Sequence, residues 1–327
     1  MKTPHAPGAA GWPGSQALGE AAFAAVAAVA LFAAGSTLPF PFNPAVLVCP
    51  VPLVLVAIRH GPVMGGLIVA FAAGVLAAAQ MPGAAALDFV LLSGVPALAL
   101  GLCTRRHVSP EWTVGLGAAA LCAAMALGIT IRAGGVGGAG PALQAMVGGL
   151  DAWLLAVQQF FEGLGSAGDL AGFPETIAAL RALVHRAFPG LVGALAVLYA
   201  ATVSMLAMAL AARTVGSAPP AFAWTLPEGM VWAFIGAAGA TLAPWGPWRL
   251  LGLNALLVIL ALYLLQGLSV AGFFCRRLEI PRTIRALAVL MVGIWPPLTI
   301  LVLAVLTGLG LCDVWVAFRR LDAPGSS

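Results

Sequence analysis

Residues 250–274 read LLGLNALLVILALYLLQGLSVAGFF, and this stretch contains no charged side chain. An α-helix rises about 1.5 Å per residue, so the stretch is long enough to cross the roughly 30 Å hydrocarbon core of a bilayer. In lipid, a helix satisfies all of its own backbone hydrogen bonds. The stretch therefore predicts a membrane-spanning helix.

The rest of the chain has the same apolar character. Of its 327 residues, 62% are hydrophobic and 8% are charged, whereas a soluble domain carries about 25% charged residues. So few charges cannot cover so much apolar surface in water, which indicates that lipid is the solvent. The basic residues lie mostly at the ends of apolar stretches, which is typical of a topology signal and not of nucleic-acid binding.

Nine apolar stretches are candidate membrane spans. They are residues 18–38, 44–58, 62–80, 86–103, 112–131, 189–211, 229–245, 250–274 and 286–312. Pro50 and Pro52 predict a kinked or broken second stretch. The interruption Trp295-Pro296-Pro297 predicts that the last stretch is one bent helix or two short ones. The sequence predicts an all-α, polytopic transmembrane helix bundle of about eight to ten spans.

The order of the stretches predicts how the chain is organised. A flexible tail, 1–17, precedes a five-span membrane part, 18–132; residues 133–188 lead to a C-terminal membrane part of three to five spans, 189–321, and a tail, 322–327. More arginines fall on the side of the membrane that holds Lys2 than on the other. This asymmetry predicts a bacterial inner-membrane protein, multi-pass, with its N-terminus in the cytoplasm.

The joining segment 133–188 is the one long stretch that does not span. It opens with a glycine-rich hinge, Gly134-Gly135-Val136-Gly137-Gly138. Apolar residues then recur at spacings of three or four, at Leu143, Met146, Leu150, Leu154, Val157 and Phe161. This spacing predicts an amphipathic helix over 141–164 that lies at the membrane surface or against the bundle. Residues 175–186 predict a second short helix.

Several kinds of catalytic site are excluded by residue type. The only lysine is Lys2, so no Walker A loop is present. The histidines are scattered, and none begins an HExxH zinc motif. The nearest approach to a GxSxG nucleophile elbow, residues 267–271, lies inside a predicted span without a histidine. We therefore expect no enzyme, no catalytic residue, no metal site and no cofactor.

Polar residues in or beside the spans remain as candidates for ligand binding, because they are costly at membrane depth. The candidates are Asn43, Asp88, Asn254, Tyr263 and Gln266. Asn43 belongs to a proline-rich connection, and broken backbone at the membrane can expose amides to a ligand. Two alternatives stay open: Asp88 as a helix N-cap at the interface, and Asn254 and Gln266 as interhelical hydrogen-bond partners.

Asp313 stands near the end of the last predicted span, seven residues before Arg320. That spacing places the two residues on roughly the same helix face. We interpret Asp313 as an interface anchor or as the partner of Arg320.

The C-terminal half also carries a resemblance. Its residues are Phe188-Pro189, Trp224-Thr225-Leu226-Pro227, Asn254, Tyr263-Leu264-Leu265-Gln266-Gly267-Leu268-Ser269-Val270, and Gly310-Leu311-Cys312-Asp313-Val314-Trp315 with Phe318-Arg319-Arg320-Leu321. This arrangement resembles the YybS-like family of bacterial membrane proteins, which carry a domain of unknown function. The N-terminal region of that family is similar to substrate-binding (S) components of energy-coupling-factor vitamin transporters, which implies a transport-like role.

Two functions from different classes follow as hypotheses. The first is a transport component that lies in the lipid bilayer, binds an unknown small molecule between its helices and depends on separate transporter subunits, including an ATPase. The alternative is a non-transporting scaffold for envelope assembly, division or sporulation-like processes, in which segment 141–164 is a docking surface. An intramembrane enzyme ranks third.

Overall fold

The computed structural model describes residues 15–37, 44–79, 85–163, 173–214, 224–294 and 296–316. These residues form helices and short connections, with no strand in the described ranges. Six of the helices are long and apolar enough to cross a membrane, and three shorter ones are also apolar. Each of the nine predicted stretches overlaps one of these helices. The predicted all-α polytopic bundle is confirmed, whereas the number of spans stays a prediction.

The helices follow one another along the chain with short breaks. They are α1 (Ser15–Thr37), α2 (Pro44–Val48), α3 (Pro50–His60), α4 (Pro62–Ala78), α5 (Ala85–Asp88), α6 (Val95–Arg105), α7 (Pro110–Arg132), α8 (Ala139–Gly163), α9 (Phe173–Thr214), α10 (Met230–Thr241), α11 (Gly246–Arg277), α12 (Arg282–Ile294) and α13 (Pro296–Val316). A π-helical turn, Phe89–Gly94, joins α5 to α6, and a 3₁₀ turn, Val136–Gly138, precedes α8.

The chain divides into two compact units. Unit 1 is Met1–Ser109 with Val203–Pro219, and unit 2 is Pro110–Thr202 with Pro220–Ser327. The long helix α9 therefore contributes residues to both. The domain boundaries expected from the sequence stay a prediction.

In unit 1, α3 packs against α1, α4 and α6. Ala57 of α3 is fully buried, and Gly65 and Gly101 approach its methyl group where a larger side chain would not fit. Small residues at such contacts let helix backbones come close together, which is typical of packing in membranes. Only Cys49 separates α2 from α3, and its angles, φ −47° and ψ −43°, are helical, so a kink or break in the second stretch stays a prediction.

In unit 2, α11 packs between α10 and α13. A Cβ atom added at Gly267 would meet the carbonyl group of Leu306, and one added at Gly310 would meet that of Tyr263. Residue numbers rise on α11 as they fall on α13, so the two helices are antiparallel. Only glycine permits this approach, because any side chain would push the backbones apart.

The last predicted stretch is described as α12 and α13, and residue 295 between them lies outside the described residues, so both of its interpretations stay open. α12 has 13 residues and is roughly 20 Å long, which is shorter than the hydrocarbon core. α13 contains the candidate span Leu298–Val316. The chain leaves α11 at Arg277 and enters α13 at Pro296, and the antiparallel pairing places both points at the same end of the helix pair. α12 is therefore a short connecting helix.

The described part of the joining segment contains the two predicted helical regions, and residues 164–172 lie outside the described residues. α8 covers the amphipathic stretch, and the short helix expected at 175–186 is the first part of α9. Ala187 has non-helical angles, φ −128° and ψ 26°, so α9 is kinked just before Pro189. Proline lacks the N–H of a regular helix and disfavours α conformation at preceding residues, which accounts for the kink.

Candidate functional site

Four buried polar side chains of unit 2 lie on α11 and α13, and we call them the polar cluster: Tyr263, Gln266, Ser269 and Asp313. Each is at most 5% exposed. The three on α11 are spaced three residues apart, so they share one face of the helix. Both helices are long and apolar enough to cross a membrane, where polar groups are costly and mark function by default.

Gln266 connects two elements through its side-chain amide. Its Nε2 donates to Asp313 Oδ2 at 3.1 Å, and its Oε1 accepts from the backbone N–H of Leu226 at 3.2 Å. Both ends of the amide are therefore satisfied. At a site this buried, leaving either end unmet would cost about 1–3 kcal/mol.

The segment 224–227, which precedes α10, has no regular secondary structure. Side chains bind three successive backbone N–H groups there: Trp224 N donates to Ser269 Oγ at 3.1 Å, Thr225 N to Glu111 Oε1 at 3.4 Å, and Leu226 N to Gln266 Oε1 at 3.2 Å. Irregular backbone needs such partners in a membrane, since lipid offers none. The polar cluster thus fixes a broken segment of chain against α11.

Tyr263 differs from its neighbours in the polar cluster. It is fully buried, and its ring meets Phe234 edge-on with ring centroids 6.0 Å apart. The surroundings are apolar, with Ala237 and Ile259 in the same core cluster. Its hydroxyl has no hydrogen-bond partner among the described residues. A buried polar atom without a partner is rare in native proteins and calls for an explanation.

This arrangement falls within a recognised family. The sequence profile of one family, described as predicted membrane protein (DUF2232), matches residues 26–314. The chain belongs to this DUF2232 family. The match covers both units and all four residues of the polar cluster. It establishes a multi-pass membrane protein with a domain of unknown function, as the sequence predicted.

Two further comparisons add nothing to the DUF2232 assignment. No curated protein and no solved structure matches the chain.

The other predicted ligand-binding residues do not gather at the polar cluster. Asn254 Oδ1 accepts from Gly190 N at 2.6 Å, and its Nδ2 donates to Leu250 O at 2.7 Å. Asn254 is thus an interhelical hydrogen-bond partner, as the alternative expected. Asp88 is half-buried at the start of the π-helical turn, and its side chain makes no cap hydrogen bond to that turn. Asn43 lies outside the described residues.

Asp313 is not exposed at the membrane interface, although its position near the end of the last predicted span suggested this. It is buried and bound by Gln266, so it is not an anchor exposed at the interface. Arg320 lies outside the described residues. The sequence signal for the cluster was the run Tyr263 to Ser269, since three polar residues at intervals of three mark one helix face. Nothing in the sequence pointed to Glu111.

A second polar group lies in unit 1, at the end of α3. Glu20 Oε2 is 3.2 Å from Arg59 Nη1 and 3.1 Å from His60 Nε2. Arg59 also bonds to the hydroxyl of Thr214, at the end of α9. These side chains are partly exposed, and an exposed ion pair contributes little to stability. The group ties three helix ends of this DUF2232 protein together.

An ion pair also holds α8 to the first part of α9. Arg181 donates to both oxygens of Asp151, from Nε at 2.6 Å and from Nη2 at 2.9 Å, and His185 Nε2 lies 3.7 Å from Oδ1. The hydrogen bond from Arg181 lowers the pKa of the Asp151 carboxyl below its usual value, and the charge of His185 adds to the effect. Leu154 of α8 also packs with Val184 and Phe188 of α9 in a buried apolar cluster.

The described residues contain no group of three His, Cys, Asp or Glu side chains placed to hold a metal ion. The expected lack of a cofactor and of enzyme activity stays a prediction. An apolar cavity of about 440 Å³ lies in unit 2, lined by α7, α8 and the kink of α9.

Proposed function

We propose that this DUF2232 protein is a transport component of the bacterial inner membrane, with its N-terminus in the cytoplasm. It binds a small polar molecule at the polar cluster and draws energy from separate subunits, including an ATPase. The resemblance to the YybS-like family, and through it to S components, supports this proposal. The lack of a Walker A loop is consistent with it.

The observation that carries the proposal is the buried hydroxyl of Tyr263 without a partner. Leaving a polar group unmet at a buried site costs about 1–3 kcal/mol. Tyr263 precedes Gln266 by three residues on α11, and the amide of Gln266 already links Asp313 to the irregular segment 224–227. A small molecule that bonds to Tyr263 would give its hydroxyl a hydrogen-bond partner. Ligand pockets that are otherwise apolar contain a few polar residues of this kind.

The test is identification of bound molecules. The full chain is purified in mild detergent, and molecules that co-purify are identified by mass spectrometry. We expect a small polar molecule in the wild type, and loss of most of it from Tyr263→Phe, which removes only the hydroxyl. Tyr199→Phe is the matched control, since Tyr199 is the other tyrosine of the chain. It should retain the molecule.

Two results would contradict the proposal. One is a wild-type protein that co-purifies with no small molecule and with no ATPase or transmembrane partner. The other is a Tyr263→Phe variant that retains the molecule as well as the wild type does.

One observation favours the scaffold as the second candidate. Leu143 and Met146 on α8 are exposed apolar side chains, more than a third accessible, of the kind that docking surfaces use. Under this hypothesis, deleting residues 141–164 abolishes the capture of a partner protein and leaves any solute uptake unchanged. Under the transport proposal, the changes at Tyr263 reduce uptake while partner capture persists.

A further inference from the structure

The apolar cavity of unit 2 has the size of a ligand site. Its volume of about 440 Å³ falls in the range of roughly 300–1,000 Å³ that small-molecule sites occupy. On α7 it extends from Thr130 to Cys122, which is about 12 Å along the helix axis. α8 contributes Gly140 and Leu143, and the kink of α9 contributes Phe188.

The residues that line the cavity offer few hydrogen bonds to a polar ligand. Apart from Thr130, its side chains are apolar or sulfur-containing, and the Thr130 hydroxyl donates its hydrogen to the carbonyl of Ala126 at 2.8 Å. A polar molecule would lose its bonds to water here and gain few in return. The cavity therefore favours a hydrocarbon chain.

Two arginines lie close along the chain to residues that line the cavity. Arg132 ends α7 two residues after Thr130, and Arg186 precedes Phe188 by two residues on α9. Both side chains are exposed. Each lies at the end of an apolar stretch, where the headgroups of a bilayer begin, and basic residues at that level attract anionic lipids.

We propose that this cavity holds an acyl chain of an anionic phospholipid whose phosphate contacts Arg132 and Arg186. The cavity supplies the apolar volume, and the two arginines supply the complementary charge. The site lies on α7, α8 and α9, whereas the polar cluster lies on α11 and α13. The lipid is thus a ligand separate from the small molecule proposed above.

The experiment measures lipid retention by the full chain. Protein is delipidated in detergent, mixed with equal amounts of the anionic lipid palmitoyl-oleoyl-phosphatidylglycerol and the zwitterionic palmitoyl-oleoyl-phosphatidylcholine, and analysed by native mass spectrometry. We expect the wild type to retain the anionic lipid preferentially. Arg132→Gln and Arg186→Gln should each reduce that preference about fivefold, as the loss of one basic residue at the surface predicts. Arg249→Gln, an exposed arginine on α11, should leave it unchanged.

A second pair of variants tests the cavity itself. Ala126→Trp fills it from α7 and should reduce retention of the lipid, while Ala119→Trp, two turns away on the same exposed face and outside the lining, should not. Gly140→Leu fills the cavity from α8, where a side chain has open space, and serves if the tryptophan variant does not fold.

Equal retention of the two lipids by the wild type would overturn the proposal. So would lipid retention by Ala126→Trp or Gly140→Leu at the wild-type level, or by either arginine variant with the preference intact. Displacement of the phospholipid by a polyprenyl phosphate at equal concentration would show that the cavity is built for a different chain.

Discussion

Tyr263 carries a hydroxyl that the folded chain leaves without a partner, and this has a consequence for stability. Removing a buried, unbonded hydroxyl removes its desolvation cost, so we expect Tyr263→Phe to raise the free energy of unfolding of the ligand-free protein by about 1 kcal/mol. Thermal unfolding in detergent micelles measures the effect. Tyr199→Phe should produce no such gain. A Tyr263→Phe variant that is less stable than the wild type would show that the hydroxyl is bonded in the folded protein.

Asp151 makes the docking of α8 depend on pH. The hydrogen bond from Arg181 lowers the pKa of Asp151 in the folded protein. The ionised carboxylate therefore stabilises the folded protein fully above the usual carboxyl pKa of about 3.9. This stabilisation is lost as pH falls through the lowered pKa of Asp151. Hydrogen exchange of the α8 amides should therefore show less protection at about pH 2 than at about pH 5. Asp151→Asn should remove this step. Equal protection of the wild type at both pH values would contradict the assignment.

Some residues of the polar cluster could be predicted from the sequence, but their contacts could not. A polar residue within an apolar stretch is visible in the sequence, which is why Gln266 and Tyr263 were predicted as candidates. The hydrogen-bond partners of these residues are not visible in the sequence. Gln266 bonds to residues 40 and 47 positions away, and only tertiary packing brings such residues together. For the same reason, the sequence did not separate Asn254, which joins two helices, from the residues of the polar cluster.

The helices were predictable where the apolar pattern is continuous. The kink of α9 just before Pro189 has a cause that the sequence displays, because proline removes a backbone donor. The π-helical turn Phe89–Gly94 did not follow, because its residues are as apolar as those of a regular helix. The short connecting role of α12 depends on the antiparallel pairing of α11 with α13, which no local pattern encodes.

That pairing gives a prediction for α13. A methyl group at Gly310 would meet the backbone of Tyr263 and Gly267, whereas one at Gly308 has open space. We expect Gly310→Ala to destabilise the protein by about 1–3 kcal/mol, because overpacking forces the backbones apart. Gly308→Ala should be neutral or stabilise by up to about 1 kcal/mol, since alanine favours a helix over glycine. Thermal unfolding of the two variants side by side tests the contrast, and equal effects would refute the close contact at Gly310.

The whole molecule carries a prediction about its orientation. Four apolar helices precede the connection between α6 and α7. With the N-terminus in the cytoplasm and each of the four crossing, residues near Val108 lie on the cytoplasmic side, beside Arg105 and Arg106, as the positive-inside rule expects. A green fluorescent protein fused after Val108 should fluoresce, and alkaline phosphatase fused there should be inactive. An active phosphatase would reverse the orientation.

The division of the chain between the units sets an order of assembly on the ribosome. Residues Val203–Pro219 belong with Met1–Ser109, although the ninety-three residues Pro110–Thr202 are synthesised in between. Helices α1 to α6 are therefore inserted into the membrane before the end of α9, which completes unit 1, has been synthesised. Unit 2 is begun before unit 1 is finished and is completed only with the last helix. Neither unit can be released as a nascent fragment by a single truncation, so an early stop codon anywhere before residue 219 leaves both incomplete.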